Sequence, residues 1–382
     1  MTPSCFSIVP YLAALAFSAS VAAPASAEPQ SGALTVYVGS YTGPKSKGIY
    51  MMKMDPATGK LSEPEVAAEL ASPSFLTIDA SRNFLYAVSE ENQGVISAYS
   101  IAPATGKLTL LNKQPSGGSA ACFVGLDPAG KVALVANYGS GTLESLQIGE
   151  DGTLSAPVST IQHSGKVADL KRQGGPHAHS INVDAAGRFA LAADLGLDKI
   201  FVYKLDSSTG KLTPNDPPFA TLAPRSGPRH LAFHPNGKFA YVINEIALTV
   251  TAFAYDADKG SLSELQTIGT VAPSEVRDEN SCAEVQVHPS GKFLYGSNRG
   301  PNTIAIFAID QETGKLTAAG HQSTGGKTPR NFRMDPAGNF LLAANQDSDS
   351  VVVFKIDTAT GGLTPTGQSV KIGSPVCVKF VK

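Results

Sequence analysis

The sequence predicts an all-β fold, a seven-bladed β-propeller with four-stranded antiparallel blades. Three observations support this prediction. A turn of the form D-x-x-T-G-K-L occurs seven times, a strand–turn–strand hairpin occurs six times between these turns, and a seventh hairpin is split between the two ends of the chain. Two hairpins in a period of roughly 50 residues are typical of a propeller blade. The chain has no Trp and no WD dipeptide, which argues against a WD40 propeller.

The first repeated element is the D-x-x-T-G-K-L turn, in which some copies are degenerate. Asp and Thr side chains hydrogen-bond to neighbouring backbone groups, and Gly supplies a positive φ, so this pattern favours a tight turn between strands. The seven copies occupy residues 55–61, 102–108, 149–154, 206–212, 256–262, 310–316 and 357–363.

The second repeated element is a hairpin, clearest in GPRHLAFHPNGKFAYVINE at residues 227–245. We predict strands over 229–233 and 238–244, joined by the turn HPNG, because Pro fits the second turn position and Gly the last. The two strand ends of an antiparallel hairpin meet, so Arg229 and Glu245 are expected at one rim. The other turns begin at Asp79, Asp127, Asp184, His288 and Asp335.

The seventh hairpin is divided between the termini. SPVCVKFV at 374–381 is similar to the entering strand SPSFLTID at 72–79, and LTVYVGSY at 34–41 is similar to the leaving strand FLYAVSE at 84–90. We therefore predict that the first and last strands of the chain pair with each other. Such pairing closes the ring and protects the sheet edges.

The first 27 residues have the pattern of a secretory signal peptide. An apolar run over 8–17 is followed by the A-x-A site Ala25-Ser26-Ala27, although no Lys or Arg precedes Lys45. We predict cleavage after Ala27, export to the periplasm or the medium, and one propeller domain over 28–382. The apolar run is too short to span a membrane.

Composition narrows the range of partners. The chain of 382 residues has 42% hydrophobic residues and a net charge of −2, which gives no reason to expect nucleic acid as a partner. The three cysteines that remain after cleavage, Cys122, Cys282 and Cys377, lie in apolar strand runs of separate repeats. We predict that all three are buried and unpaired.

Aligning the repeats on their turns produces two columns of residues at one mouth of the central channel. Titratable and amide groups that converge there predict a ligand site. Longer loops over 162–174 and 272–281 lead to the same face, which supports this prediction. The strand-start column is Ser74, Cys122, His179, Arg229, Ala283, Arg330 and Val376. The strand-end column is Tyr41, Glu90, Tyr138, Leu195, Glu245, Arg299 and Gln346, and the residues before it include Asn244 and Asn298.

The column residues leave several kinds of chemistry open. His177 and His179, two apart on a predicted strand, face one way and can be an acid/base pair, a metal ligand pair or structural histidines. Arg229 and Arg299 are costly to bury unless they pair with a substrate anion, a developing oxyanion or Glu245. The equivalent Arg330 either contacts an anion or faces solvent at the rim.

These motifs resemble the lactonase propeller family, which contains the bacterial propeller-type 6-phosphogluconolactonases and the fungal carboxymuconate-lactonizing enzymes. The resemblance covers essentially the whole chain after the signal peptide. It rests on YVGSYT, the repeated TGKL turns, GPHAHS, GPRHLAFHPNG, the NE at 244–245, SNRG, TPRNF and ANQ.

The resemblance implies an active site with one His, two Arg and one Glu, and no cofactor or metal. On this chain these residues are His177 (less favoured, His179), Arg229, Glu245 and Arg299, which belong to the third, fourth and fifth blades. The side chains expected to contact the substrate are His179, Arg330, Asn244 and Asn298.

The resemblance also implies either hydrolysis of a lactone or its reverse, ring closure. We expect hydrolysis, by a monomer that acts on a small anionic sugar lactone. A His would accept a proton from water, Glu245 would orient the water or the imidazole, and arginines would stabilise the oxyanion or hold a carboxylate or phosphate. An exported enzyme does not meet the cytosolic phosphorylated lactone, so an unphosphorylated lactone or another ester is a further possibility. The alternatives are a lactonizing cycloisomerase, a binding propeller without activity, and a propeller that uses Ca²⁺ or Zn²⁺.

Overall fold

The computed structural model describes residues 1–4, 32–169 and 171–381. Twenty-eight β-strands, numbered β1 to β28 along the chain, form seven four-stranded antiparallel sheets in a ring. This arrangement confirms the predicted seven-bladed β-propeller. Two short 3₁₀ turns, Pro273–Glu275 and Gln346–Ser348, are the other regular elements in these residues.

Each blade has an inner strand beside the central channel, two middle strands and an outer strand. The inner strands are β4 (Leu76–Ile78), β8 (Ala121–Leu126), β12 (Ala178–Val183), β16 (Pro228–Phe233), β20 (Ser281–Val287), β24 (Pro329–Met334) and β28 (Pro375–Val381). The second strands are β1 (Leu34–Ser40), β5 (Phe84–Ser89), β9 (Val132–Asn137), β13 (Phe189–Asp194), β17 (Phe239–Asn244), β21 (Phe293–Arg299) and β25 (Phe340–Asn345).

The two remaining strands of each blade lie farther from the channel. The third strands are β2 (Gly48–Met54), β6 (Val95–Ile101), β10 (Thr142–Ile148), β14 (Lys199–Asp206), β18 (Thr249–Asp256), β22 (Thr303–Ile309) and β26 (Ser350–Ile356). The outer strands are β3 (Glu65–Glu69), β7 (Leu108–Pro115), β11 (Leu154–Gln162), β15 (Lys211–Thr221), β19 (Ser261–Gly269), β23 (Leu316–Ser323) and β27 (Leu363–Lys371).

The ring closes through the chain termini, as predicted. Strand β28 pairs antiparallel with β1, with Val378 opposite Val38 and Phe380 opposite Val36. One blade therefore takes its inner strand from the C-terminal end and its other three strands from the N-terminal end. Closure gives β1 its inner partner and completes the set of seven inner strands around one channel.

The core lies between the blades, where the second strands are covered on both faces. Strands β9, β13, β17 and β25 are buried over their whole length. A strand covered on both faces does not show the apolar–polar alternation of a half-exposed strand, which explains runs such as VALVAN and FALAAD. Blade-to-blade burial of these runs is the main source of stability for the ring.

Neighbouring blades are also linked by a repeated hydrogen bond. A buried Tyr on the second strand donates its hydroxyl to the carbonyl of the Gly in the TGKL-type turn of the next blade. The pairs are Tyr37–Gly106, Tyr86–Gly152 (3.1 Å), Tyr241–Gly314 (3.0 Å) and Tyr295–Gly361 (2.9 Å). Gly314 has a φ of 70°, and a Cβ there would overlap the ring of Phe239, so this turn position requires Gly.

The cysteine prediction is also confirmed, because Cys122, Cys282 and Cys377 are buried and unpaired. Apart from its first four residues, the predicted signal peptide over 1–27 lies outside the described residues and stays a prediction. In the part of the chain that the structure describes, no helix has the length and hydropathy needed to cross a membrane.

The inter-blade bond leads to a stability prediction. We expect Tyr241→Phe to lower the free energy of unfolding by about 1 kcal/mol, because the buried carbonyl of Gly314 loses its donor. Urea unfolding followed by circular dichroism measures the change. Tyr50→Phe is the control, since the Tyr50 hydroxyl only accepts a bond from the Lys47 backbone near the surface. Equal unfolding midpoints for Tyr241→Phe and the wild type would contradict this role.

Candidate active site

The predicted rim forms where inner strands begin and second strands end, at a channel opening that we call the upper mouth. Pro228 on β16 pairs with Asn244 on β17. Arg229 follows Pro228 within a bulge of β16, and Glu245 is the first residue beyond β17. Both lie at the same edge, and Arg229 Nε is 3.0 Å from Glu245 Oε2. The hairpin geometry read from the sequence thus brings these two side chains into contact.

Glu245 is the centre of a charge network at the upper mouth. Its Oε2 atom accepts a hydrogen bond from Arg229 Nε and forms an ion pair with Arg299 Nη2 at 2.8 Å. Its Oε1 atom accepts from Arg172 Nη2 at 2.9 Å. Arg172 belongs to the loop between β11 and β12, the first of the two longer loops noted in the sequence. One carboxylate therefore holds three guanidinium groups from three parts of the chain.

Because this network is buried, the charge of each group strongly affects the pKa values of the others. Arg229 is 2% exposed and Glu245 is 8% exposed. Burial alone would raise the pKa of Glu245, but the guanidinium groups of the surrounding arginines outweigh it and hold the pKa at about 2. Burial, with repulsion from Arg330 and Arg299, lowers the pKa of Arg229 to about 10. At neutral pH the carboxylate and the guanidinium are both charged.

Two arginines retain N–H donors that have no hydrogen-bond acceptor among the residues that the structure describes. Arg299 Nη2 donates to the carbonyl of Cys282 at 2.7 Å, but its buried Nε has no partner among the described residues. Arg330 lies over the ring of Tyr41 at 5.4 Å, and its Nη2 is 3.9 Å from Glu90 Oε1. These free donors point to a place for an anion.

We call Arg172, Arg229, Arg299 and Arg330 the arginine cluster. The carboxylates that contact it are Glu245 and Glu90. Four guanidinium groups against two carboxylates leave the upper mouth with an excess of positive charge. In a partly dry site such an excess favours an anionic ligand or a developing negative charge.

His177 is half-buried, and it is linked to the charged residues of the mouth through Tyr138. Its ring stacks on Tyr138 with a centroid distance of 4.4 Å, and its Nδ1 is 2.9 Å from the carbonyl of Tyr138. A carbonyl only accepts, so Nδ1 carries the proton and Nε2 has the free lone pair. The backbone N–H of His177 donates to Asp194 Oδ1 at 2.9 Å, which fixes the position of the residue.

His179 has different surroundings. It is 4% exposed, and its ring meets the edges of Tyr138 at 5.4 Å and His230 at 5.3 Å. Burial, together with the charge of Arg229, lowers its pKa well below the ordinary value. A bulge in the pairing of β12 with β13 lies between Ala178 and Ser180. The structure therefore places His177 at the open mouth and His179 in the channel wall.

Asn244 and Asn298 do not join the arginine cluster. The Nδ2 of Asn244 donates to the hydroxyls of Thr249 and Thr251, each at 2.9 Å. The Nδ2 of Asn298 donates to Thr270 O at 3.0 Å and to Thr303 Oγ1 at 3.1 Å. Both residues are fully buried, and they hold strands within their blades. Each precedes a strand-end position by one residue, so alternation turns its side chain away from the mouth.

The sequence did not single out Arg172, Tyr138 or Tyr41 as site residues. Burial raises the pKa of Tyr138, and Tyr138 is close enough to Glu245 and Arg172 for their charges to raise and lower this pKa, respectively. Tyr41 donates to Glu90 Oε2 at 2.9 Å. Both tyrosines belong to the strand-end column, so their position in the repeat could have identified them as site residues. For Arg172, the only indication in the sequence was its location in the longer loop over 162–174.

An aromatic partition closes the bottom of the upper mouth; it consists of Phe75, Phe123 and His230. The two Phe rings stack at 4.3 Å, and His230 meets them edge-on at 5.6 and 5.4 Å. His230 Nε2 is 3.0 Å from Arg229 Nη1, and its Nδ1 is 3.3 Å from Glu284 Oε1. Burial, and then the Arg229 charge, lowers the pKa of His230 to about 4.

Metal ligands are not grouped at the mouth. Within residues 1–4, 32–169 and 171–381 there is no group of three or more His, Cys, Asp or Glu side chains placed to hold a metal ion. The polar groups that do converge are those of the arginine cluster, His177 and Glu245.

Comparison with known proteins gives a consistent result. The family model "Lactonase, 7-bladed beta-propeller" matches residues 35–380. The chain is 38% identical over 346 residues to the 6-phosphogluconolactonase of Bacillus subtilis, covering 90% of this chain and 97% of that protein. The crystal structure of a candidate 6-phosphogluconolactonase from Bacteroides fragilis superposes with a TM-score of 0.87 at 37% identity, covering 94% of this chain and 100% of the other. The structure of the periplasmic gluconolactonase of Pseudomonas aeruginosa superposes with a TM-score of 0.86 at 32% identity, covering 92% and 99%.

The charge network predicts a pH-dependent stability effect. We expect Glu245→Gln to lower the free energy of unfolding by about 3–5 kcal/mol at neutral pH, because buried arginines lose their counter-ion. The carboxylate has a pKa of about 2 when folded against an ordinary 4.5. Its stabilisation is therefore present above pH 4.5 and is lost as the pH falls towards 2. The gap between the two proteins should narrow over that interval in guanidinium unfolding.

The control for this measurement is Glu69→Gln. Glu69 is 74% exposed and forms only a 3.7 Å surface pair with Lys47, so its loss should not change stability measurably. A gap between wild type and Glu245→Gln that stays constant from pH 5 to pH 2.5 would contradict the assigned pKa of Glu245.

Proposed function

The chain belongs to the lactonase family of seven-bladed β-propellers, and from this premise we propose that it hydrolyses a sugar lactone in the manner of a 6-phosphogluconolactonase. The observation that carries the proposal is the position of His177. Its Nε2 has no hydrogen-bond partner among the described residues, and its ring stacks on Tyr138, which is close enough to Glu245 and Arg172 to be affected by their charges. This arrangement combines a proton acceptor with donors for negative charge, the two requirements of ester hydrolysis.

We assign the general base to His177. Its Nδ1 proton is bound to the carbonyl of Tyr138, so Nε2 is free to take a proton from water. The water oxygen then attacks the lactone carbonyl carbon, and the carbonyl oxygen becomes an oxyanion. When the ring C–O bond breaks, the imidazolium returns the proton to the departing ring oxygen. The product is a hydroxy carboxylic acid, which releases its remaining acid proton to solvent and becomes a carboxylate. The buried His179 serves as a wall residue in this scheme.

The arginines divide into two roles. Arg229 uses its Nε for Glu245 and its Nη1 for His230 and the Ala283 carbonyl, so it is largely committed to the protein. Arg299 and Arg330 keep free donors, and we propose that they stabilise the oxyanion and bind an anionic group on the substrate.

We propose that Glu245 is a positioning residue. A carboxylate with a pKa of about 2 and bonds to three guanidinium groups is a weak base. Glu245 is better suited to holding the arginines in place than to deprotonating water. The sequence had also suggested that Glu245 orients the water or the imidazole. Because the arginine cluster repels cations, the proposed reaction uses no metal ion or other cofactor.

The substrate and location follow from the same observations. The excess positive charge favours a lactone with a phosphate or carboxylate group, and we propose that the protein acts as a monomer. The signal-peptide pattern supports export, and a structural neighbour is described as a periplasmic gluconolactonase. We therefore propose that an exported form opens phosphorylated or plain sugar lactones.

The activity is tested by lactone opening. We expect the mature protein to accelerate proton release from fresh 6-phosphoglucono-δ-lactone or glucono-δ-lactone above the spontaneous rate, with or without chelator. His177→Asn should lower kcat on the order of 100-fold or more because the general base is lost. His321→Asn is the matched control, since His321 is exposed and on an outer strand.

The possible results of these assays distinguish lactone hydrolysis from ligand binding without turnover. Acceleration of only the plain lactone would indicate an exported enzyme with an altered substrate pocket. Acceleration of neither lactone would reject hydrolysis and favour a binding propeller. A normal rate for His177→Asn would reject the assigned base while leaving lactonase activity in place, and loss of activity with chelator would reject the metal-independent reaction.

Export is tested separately. We expect the full-length chain, expressed in a Gram-negative host, to be recovered from the periplasm with Glu28 as its first residue, because cleavage follows Ala27. N-terminal sequencing of the periplasmic and cytosolic fractions measures this. A variant with Ala25→Arg and Ala27→Arg is the control for the cleavage site. Recovery of only uncleaved protein in the cytosol would contradict export.

A further inference from the structure

The second half of the channel has no part in the proposed reaction. Below the aromatic partition, a cavity of about 700 Å³ opens on the face that carries the hairpin turns; we call it the lower chamber. Its lining includes Phe75, Phe123 and His230 of the partition, and farther down the turns at Asp79 and Asp335. The partition separates it from Glu245, so it requires its own explanation.

Two cations stand out on the wall of the lower chamber. Each inner strand contributes one residue at the same level of the chamber wall. These seven residues are structurally equivalent, because each pairs with the equivalent residue of the second strand in its own blade. Five of these positions are neutral and two carry a positive charge on adjacent strands, β24 and β28. The residues are Thr77, Gly125, Asn182, Ala232, Gln286, Arg333 and Lys379.

Lys379 is the more confined of the two. Its Nζ lies 4.3 Å from the centre of the Phe75 ring. Lys379 is partly exposed; burial lowers the pKa of its ammonium group and Arg333 acts in the same direction, whereas the more distant Glu284 acts in the opposite one. Among the described residues neither Lys379 nor Arg333 has a carboxylate within 4.0 Å. A desolvated ammonium without a counter-ion is unfavourable, and the aromatic ring compensates for this only in part.

The carboxylates around the chamber are already engaged. Glu284 contacts His230 and is bound by the amide of Asn331. Asp79 accepts from the backbone N–H of Phe84 at 2.8 Å, and Asp335 accepts from that of Asn339 at 2.7 Å, so both close their own turns. Each of the three has a role in the fold, and within the part of the chain that the structure describes none of them forms an ion pair with Lys379 or Arg333.

From these contacts we infer that the lower chamber is a second binding site, for a small anion with a carboxylate or phosphate group held between Lys379 and Arg333. The anionic group supplies the counter-charge that the two side chains lack. The amides of Asn182 and Gln286 line the same level and offer further polar contacts. A short apolar portion of the ligand would rest against Phe75 and Phe123. The site does not depend on the proposed hydrolase activity.

The first experiment reads out Lys379 directly. The folded full-length protein is treated with an amine-acylating reagent, and mass spectrometry follows the labelling of each Lys. We expect saturating inorganic phosphate or acetate to slow the labelling of Lys379 by about fivefold or more, as a bound ligand protects its site. Lys292, an exposed residue beside a hairpin turn on the same face, should be labelled at an unchanged rate.

Phosphate and acetate distinguish the two classes of ligand. Protection of Lys379 from labelling by either anion supports the proposed site. Protection by phosphate alone indicates a phosphate ligand, and protection by acetate alone indicates a carboxylate ligand. Protection of Lys379 by neither anion, or equal slowing at Lys292, would overturn the proposal.

The second experiment measures affinity for the protecting anion by titration calorimetry. We expect Lys379→Met to weaken binding about tenfold or more and Arg333→Gln to weaken it several-fold, because each removes one charge contact. Lys292→Met is the matched control and should bind like wild type. Arg333 is exposed, so Arg333→Gln remains informative if Lys379→Met does not fold. Wild-type affinity in Arg333→Gln would contradict the assignment, as would loss of Lys379 protection in Arg299→Gln.

Discussion

The pairing of β1 with β28 is the constraint on which every other feature of this molecule depends. It closes the ring, and closure places the same register position of seven inner strands around one channel. Residues far apart in sequence, such as Arg172 and Arg299, can then bind the same carboxylate. The blades supply a rigid frame, and the chemistry depends on which few of the equivalent positions carry polar groups.

The polar groups at the upper mouth form a prearranged electrostatic environment. Glu245 remains ionised with a pKa of about 2, because the energy of burying it is outweighed by the surrounding guanidinium groups. Arg229, in turn, keeps its charge although it is almost completely buried. The arrangement uses one carboxylate to hold three arginines, and positive charge remains for a ligand. Donors fixed before the ligand arrives need not reorganise during the reaction, which makes them more effective.

The sequence was sufficient for the fold and for the central contact of the site. Repeats, turn chemistry and the split hairpin predicted the blades and their closure, and hairpin pairing predicted that Arg229 and Glu245 meet. Asn244 and Asn298 were expected at the substrate, but the structure places them inside their blades. Successive side chains on a strand point in opposite directions, and these two residues are one position before the residues that face the mouth.

Other parts of the site could not be predicted from the sequence, for physical reasons. The bulge after Ala178 separates the surroundings of His177 and His179, and a bulge leaves little trace in a repeat pattern. Arg172 lies in a loop without periodicity, so its path to Glu245 depends on tertiary packing. The repeat thus predicts the positions on strands, whereas a loop residue that completes the network has to be found in three dimensions.

The aromatic partition shows why the two halves of one channel differ in chemistry. Since a guanidinium only donates, His230 Nε2 must accept from Arg229, and Nδ1 must carry the proton that is directed at Glu284. Burial favours this neutral form by lowering the pKa of His230 to about 4. His230 is therefore both a wall of the channel and a second support for Arg229, opposite Glu245. A neutral side chain at this level allows arginines to gather above it without adding a further charge to a dry region.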